Sequence, residues 1–213
     1  MRTFRTLAAV TTVAGALALA APAAVAAPAG PSAPASGVPE SAGPTDAKPS
    51  KPVIATYRGK KIDLSQGWGS ARVCTEVTGG AVYCHDSIAE ADQALATIDP
   101  AARTARTAPA AAGVAVSDAD CSSGWVCIWE HSNFTGPLLR WSQFGTKYLS
   151  DWGFRDRASS ACAYNSNGAT LYDDRTLQPD PSLYLGWGCY DLTGQGYPYG
   201  GNWNDRVDYL TVN

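Results

Sequence analysis

The sequence predicts a mainly β protein in which two ordered segments are separated by low-complexity chain. Three observations lead there. Residues 121–213 hold six of the seven tryptophans and a series of short apolar runs between turn residues ("VCIWE", "LLRWS", "SSACAY", "ATLY", "SLYLGW", "RVDYLTV"), the pattern of an antiparallel sandwich. Residues 53–98 show a hairpin pattern followed by one short amphipathic helix. The stretches 27–52 and 99–120 are dominated by small residues and proline with no period of 2 or 3.6, too little apolar surface to offset the entropy of ordering.

Residues 1–26 read as an export signal. Arg2 and Arg5 give a positive start, Leu7 to Ala21 a short apolar run, and "AVA" at 24–26 a cleavage pattern, with Ala27 the expected first mature residue. The run is shorter than the roughly 20 residues of a membrane span, so a secreted, extracellular protein is expected. Without Arg2 and Arg5 the chain keeps fourteen basic residues against nineteen acidic ones. That balance excludes a protein that neutralises a nucleic-acid backbone. Six cysteines in an exported chain predict three disulfides. With no C-x-x-C and only His85 and His131, a zinc site has no support.

In the segment 53–98, "VIATYRG" and "KKIDL" predict two short strands, and "SARVCTEVTGGAVYCHDS" a hairpin. If Cys74 faces Cys84, paired residues sum to 158 and the loop is 78–80, with Gly80 at the left-handed third position. Closing that loop contributes roughly 3 kcal/mol in the chain-entropy model. Ser87 and Glu90 form a capping-box pattern, after which Ile88, Ala91, Leu95 and Ile98 share one helix face. No chemistry is visible in this segment, and His85 reads as a surface histidine at a strand end.

Residues 121–213 carry an internal repeat. "FRDRASSA" at 154–161 aligns with "WNDRVDYL" at 203–210, and each is preceded by an aromatic hairpin start, Trp129 and Tyr172. In the first half Trp129, Phe134 and Gly136 follow aromatic-x4-aromatic-x-Gly; in the second, Leu177 and Pro179 stand where Phe134 and Gly136 would. The order of features implies a duplicated four-strand unit.

These residues resemble the βγ-crystallin family, whose folded hairpin has that aromatic and glycine spacing. The resemblance implies a Greek-key sandwich in which the glycine takes a conformation closed to other residues, and Ser159 or Ser160 ties down the hairpin backbone. Within that fold "DCSSGWVCIWE" is similar to the secreted actinomycete proteins of peptidase inhibitor family I36, typified by a small inhibitor of thermolysin-like zinc peptidases. The likeness covers about 93 residues and leaves out the segment 53–98. It implies a Cys121–Cys127 disulfide. With Cys74–Cys84 taken from the hairpin, Cys162–Cys189 remains by elimination. The typifying inhibitor presents its reactive bond on a second short disulfide-closed loop, which this chain lacks. Cys162 and Cys189, 27 apart, would brace the two halves instead.

The family's calcium motif is two Asn/Asp, two free positions, Ser/Thr, then Ser. The first half keeps Asp156, Ser159 and Ser160 but has Arg155 at the first place; the second keeps Asn204 and Asp205 but has Asp208 and Tyr209 for the hydroxyl pair. Asp156, Ser159, Asp205 and Asp208 are thus candidate calcium ligands, against internal pairing with Arg155, Arg157 and Arg206. No cofactor is required. "GQGYPYGGNWND" at 194–205 offers Tyr197, Tyr199 and Trp203 as rings for a peptidase cleft or a sugar; the same rings also fit a core anchor at Trp203 with tyrosines covering an edge. No pairing of histidine or carboxylates singles out an acid and a base. The expectation is a non-enzymatic peptidase inhibitor, with a calcium-stabilised or glycan-binding envelope module as the alternative.

Overall fold

The computed structural model describes residues 51–100 and 121–213. The predicted signal peptide, nearly all of the Pro/Ala-rich tail and residues 101–120 of the linker lie outside the described residues. Among the described residues the architecture is two β-sheets and one α-helix.

The amino-terminal segment supplies β1 (Ile54–Tyr57), β2 (Lys60–Asp63), β3 (Val73–Glu76), β4 (Val82–His85) and α1 (Ile88–Ile98). Cys74 opposes Cys84 in the β3–β4 register and the two form a disulfide. Gly79 and Gly80 both have positive φ, 89° and 83°, so the turn uses two residues freed from side-chain clash where one was expected. Ser87 caps α1 by accepting from Glu90 N, and the Glu90 carboxylate accepts from Asp86 N, one residue before the usual partner in a capping box. His85 is half-buried, 4.0 Å from Glu90, and burial holds its imidazole below the ordinary range.

Residues 121–213 supply β5 (Val126–His131), β6 (Thr135–Trp141), β7 (Gly145–Tyr148), β8 (Ser160–Ala163), β9 (Ala169–Tyr172), β10 (Ser182–Leu185), β11 (Gly188–Asp191) and β12 (Tyr209–Val212). They form two interlocked Greek keys. The first sheet runs β11-β8-β5-β6 and the second β10-β9-β12-β7, so each half lends its third strand to the other half's sheet. The Cys162–Cys189 disulfide joins β8 to the lent strand β11. Cys121–Cys127 closes the entry to β5.

The sequence reading set 53–98 apart as a module; sheet and core both run across that boundary. β3 lies parallel to β6, Cys74 opposite Leu139, and extends the first sheet to eight strands ordered β11-β8-β5-β6-β3-β4-β1-β2. Leu64, Trp68 and Ala71 share a core with Trp152 and Phe154. Trp68 stacks on Phe154 at 5.4 Å and donates its indole N–H to Trp152 O. On the opposite face of the sheet, Ala91 and Leu95 of α1 pack with Trp125 and Trp129. The buried Arg140 guanidinium bonds Asp92 of α1 and Thr75 of β3, fixing helix to sheet. A segment of this size buries little apolar surface alone; here it completes a core it shares.

Candidate functional site

The folded hairpin after β5 sets one corner of the site. Asn133, Phe134 and Gly136 have φ of 57°, 59° and 82°. Residues with side chains rarely take this region, so two in a row need support from outside the turn. Ser160 supplies it: its hydroxyl donates to His131 O at 2.7 Å and accepts from Phe134 N at 3.1 Å. Ser159 donates to Glu130 O at 2.7 Å. Phe134 meets the buried Trp129 edge-on at 5.5 Å. A Cβ on Gly136 would lie 2.6 Å from the His131 ring. The spacing of Trp129, Phe134 and Gly136 is therefore accounted for by shape.

The Asp-Arg repeat sits where the two keys meet. Asp156 and Asp205 take matching left-handed conformations, φ 55° and 53°. Asp156 N donates to Val207 O and Asp205 N to Ala158 O, a reciprocal pair across a local two-fold. Each following arginine folds back on the carbonyl four residues earlier, Arg157 on Gly153 O and Arg206 on Asn202 O, and lies over an aromatic ring, Phe154 and Tyr197. The repeat is thus a structural clasp.

Beside the clasp an open cleft is lined by Glu130, His131, Asp156, Arg157, Ser159 and Asp205. Ser159 Oγ is 3.3 Å from Asp205 Oδ1, and Arg157 pairs with Glu130 at 2.8 Å. Burial pushes the Asp156 carboxyl up despite the neighbouring Arg155. Three of the four candidate calcium ligands thus line one cleft. Asp208 does not. It is buried, pairs with Arg155 and accepts from Asp174 N at 2.6 Å. It occupies the second-half position of Ser159 and ties down a backbone N–H where Ser159 ties a carbonyl. Burial, more than the Asp156 charge, pushes its pKa up to about 6. Among the described residues no group of three or more His, Cys, Asp or Glu is placed to hold a metal ion.

The aromatic loop differs from expectation. Tyr197 and Trp203 are buried, 6% and 1% exposed, and only Tyr199 reaches solvent at 46%. The rings turn inward because each has work there. Trp203 packs edge-on against Tyr197 at 5.2 Å. The Tyr197 hydroxyl donates to Asp173 at 2.5 Å and accepts from Arg175. Tyr199 donates to Pro179 O at 2.8 Å. These rings support the neighbouring loop 173–181 and do not themselves form a contact face. Sequence reasoning missed that loop. Its one visible signal was "LQPDP", a leucine followed by two prolines in place of the compact hairpin of the first half.

Among solved structures, the chain is similar to a beta gamma crystallin from Ciona intestinalis at 24% identity, over 42% of this chain and 100% of that one, with a TM-score of 0.30. It is similar to a structure of the eye-lens beta-gamma-crystallin domain fold at 24% identity, over 47% and 93%, TM-score 0.32. Spherulin 3a from Physarum polycephalum is 22% identical over 46% and 88%, TM-score 0.31. No curated protein sequence matches. No helix among the described residues is long and apolar enough to cross a membrane. Residues 115–180 match the family model described as peptidase inhibitor family I36. That match spans the tied hairpin, the first half of the clasp and most of the loop 173–181, and stops short of the second half of the clasp.

Proposed function

We propose that this protein is a secreted inhibitor of an extracellular peptidase, acting by binding and not by catalysis, with thermolysin-like zinc peptidases as its first target class. The observation that carries the reading is the family match over residues 115–180. The three disulfides support it, because a rigid body loses little conformational entropy on entering a cleft. The mature protein is to be incubated with thermolysin-like, subtilisin-like and trypsin-like peptidases. Stoichiometric inhibition of the thermolysin-like enzyme, lost after reduction of the disulfides, is expected. Degradation as an ordinary substrate, or no effect on any class, would end this reading.

A second reading rests on the cleft at the clasp. Asp156, Asp205, Ser159 and the Glu130 carbonyl would hold a hard dication such as calcium there, relieving the burial of Asp156. A site with a dissociation constant of about 10 μM would add about 2.7 kcal/mol at millimolar calcium. Thermal melting with calcium and with chelator tests it. A rise of several degrees supports a calcium-stabilised module; coincident melting curves retire it.

A further inference from the structure

Nine residues, Asp173–Pro181, join β9 to β10. Their base is closed by Asp173 N donating to Pro181 O at 3.3 Å. On the entering side Asp174 N donates to Asp208, and Arg175 N to Asp180 Oδ1 at 2.8 Å. The Arg175 guanidinium bridges Asp173 at 2.6 Å and the Tyr197 hydroxyl at 2.8 Å. On the leaving side Tyr199 holds Pro179 O, and Tyr209 donates to Asp180 Oδ2 at 3.3 Å. Pro181 is buried. Between these shoulders, no hydrogen bond among the described residues engages Thr176, Leu177 or Gln178. Leu177 is 95% exposed, the largest exposure of any big apolar side chain described.

A leucine held in water contributes nothing to a core, yet side chains from two other parts of the chain, Tyr197 with Tyr199 and Asp208 with Tyr209, fix the stem beneath it. Pro179 and Pro181 lock their own φ and bias Gln178 and Asp180 toward extended backbone. The apex therefore offers free backbone donors and acceptors, a chain held out from the body, and one branched aliphatic side chain. A cleft that reads extended peptides by backbone pairing and side-chain pockets has the complementary features. A peptidase substrate cleft is such a surface, and a loop anchored on both sides enters it with most of the ordering cost already met.

We propose that Thr176–Leu177–Gln178 is the segment that enters the peptidase, with Leu177 filling a subsite for a branched aliphatic side chain. This rests on the inhibitor reading and names its contact surface. Tyr197, Tyr199 and Tyr209 are positioning residues that hold the apex from behind, and the aromatic loop 194–205 is a strut for this loop.

The test uses the full mature chain with thermolysin and subtilisin as probes. Leu177→Ala should raise the inhibition constant roughly 10- to 100-fold, the range expected for emptying one apolar pocket. Leu177→Asp should raise it further, and neither should shift thermal melting, since the residue is 95% exposed. Tyr197→Phe should convert the inhibitor toward a substrate, with hydrolysis inside 176–178 seen by mass spectrometry. Trp187→Ala, a ring 65% exposed on a separate Gly-Trp-Gly turn, should leave inhibition unchanged. Inhibition that survives both Leu177 variants overturns the assignment while leaving the inhibitor reading intact, as does loss confined to Trp187→Ala. Failure of the wild type on both probes and on a trypsin-like peptidase overturns the two together.

Discussion

The two halves of residues 121–213 solve the same local problem with different means. In the first, the chain turns within a few residues, and one serine satisfies both ends of the fold-back. In the second, the equivalent positions are Asp208 and Tyr209, and the turn has become the loop 173–181. Ser160 reaches the backbone directly; Tyr209 reaches Asp180 at the end of a longer lever. Burial and the Asp180 carboxylate push the Tyr209 phenol up to about 12, so it remains a donor at any physiological pH. The strand framework needs only one compact hairpin to set its corner. The other corner is free to hold chain outward, because its anchors are side chains instead of the turn.

The largest expected difference between the halves is at the hairpin rings. Trp129→Ala should cost about 3–5 kcal/mol, since the ring is fully buried and the space cannot collapse. Tyr172→Ala should cost about 1–2 kcal/mol, since Tyr172 is half-buried and mainly loses its 4.6 Å stack on Tyr209. Denaturant melts of the two variants give the ratio directly; equal losses would remove the asymmetry.

A smaller contrast lies in the ties. Ser160→Ala should cost about 1–3 kcal/mol by stranding the Phe134 N–H and the His131 carbonyl in a strained turn. Tyr209→Phe should cost at most about 0.5 kcal/mol, because its partner Asp180 is exposed and rehydrates. Melting both variants in one buffer compares them.

The smallest effect is one of pH. Asp208 has a folded pKa above its unfolded value, so the folded state binds the extra proton. That contribution is therefore present at low pH and lost as pH rises from about 4 through about 6. Asp208→Asn keeps the acceptor for Asp174 N and removes the titration. Its melting temperature relative to wild type should rise across that window. A flat difference would show that the Arg155 pair, not burial, governs this carboxyl.

What could be read from the sequence was what lies close along it. The paired cysteines around Gly79 set the β3–β4 register, and Trp129, Phe134 and Gly136 marked the hairpin. The Asp-Arg repeat located the clasp, although its arginines turned to carbonyls and rings more than to the neighbouring carboxylates. The β3–β6 pairing left no trace, because a parallel pair more than sixty residues apart has no turn to announce it. Tyr197 and Trp203 misled for another reason. A ring on a glycine-rich loop looks the same in sequence whether it faces water or a buried Asp173.

That parallel pairing also bears on how the protein behaves among copies of itself. An open strand edge is a template for another chain, and β6 would present a long apolar one, with Leu138 and Leu139 fully buried as it stands. With β3 laid along it, the free edge on that side passes to β2, where Lys60 and Lys61 face solvent. Two adjacent ammonium groups repel an incoming strand that carries the same pair. The amino-terminal segment thus serves as an edge guard. A chain lacking residues 51–98 would uncover β6 and announce itself first as turbidity in a concentrated solution.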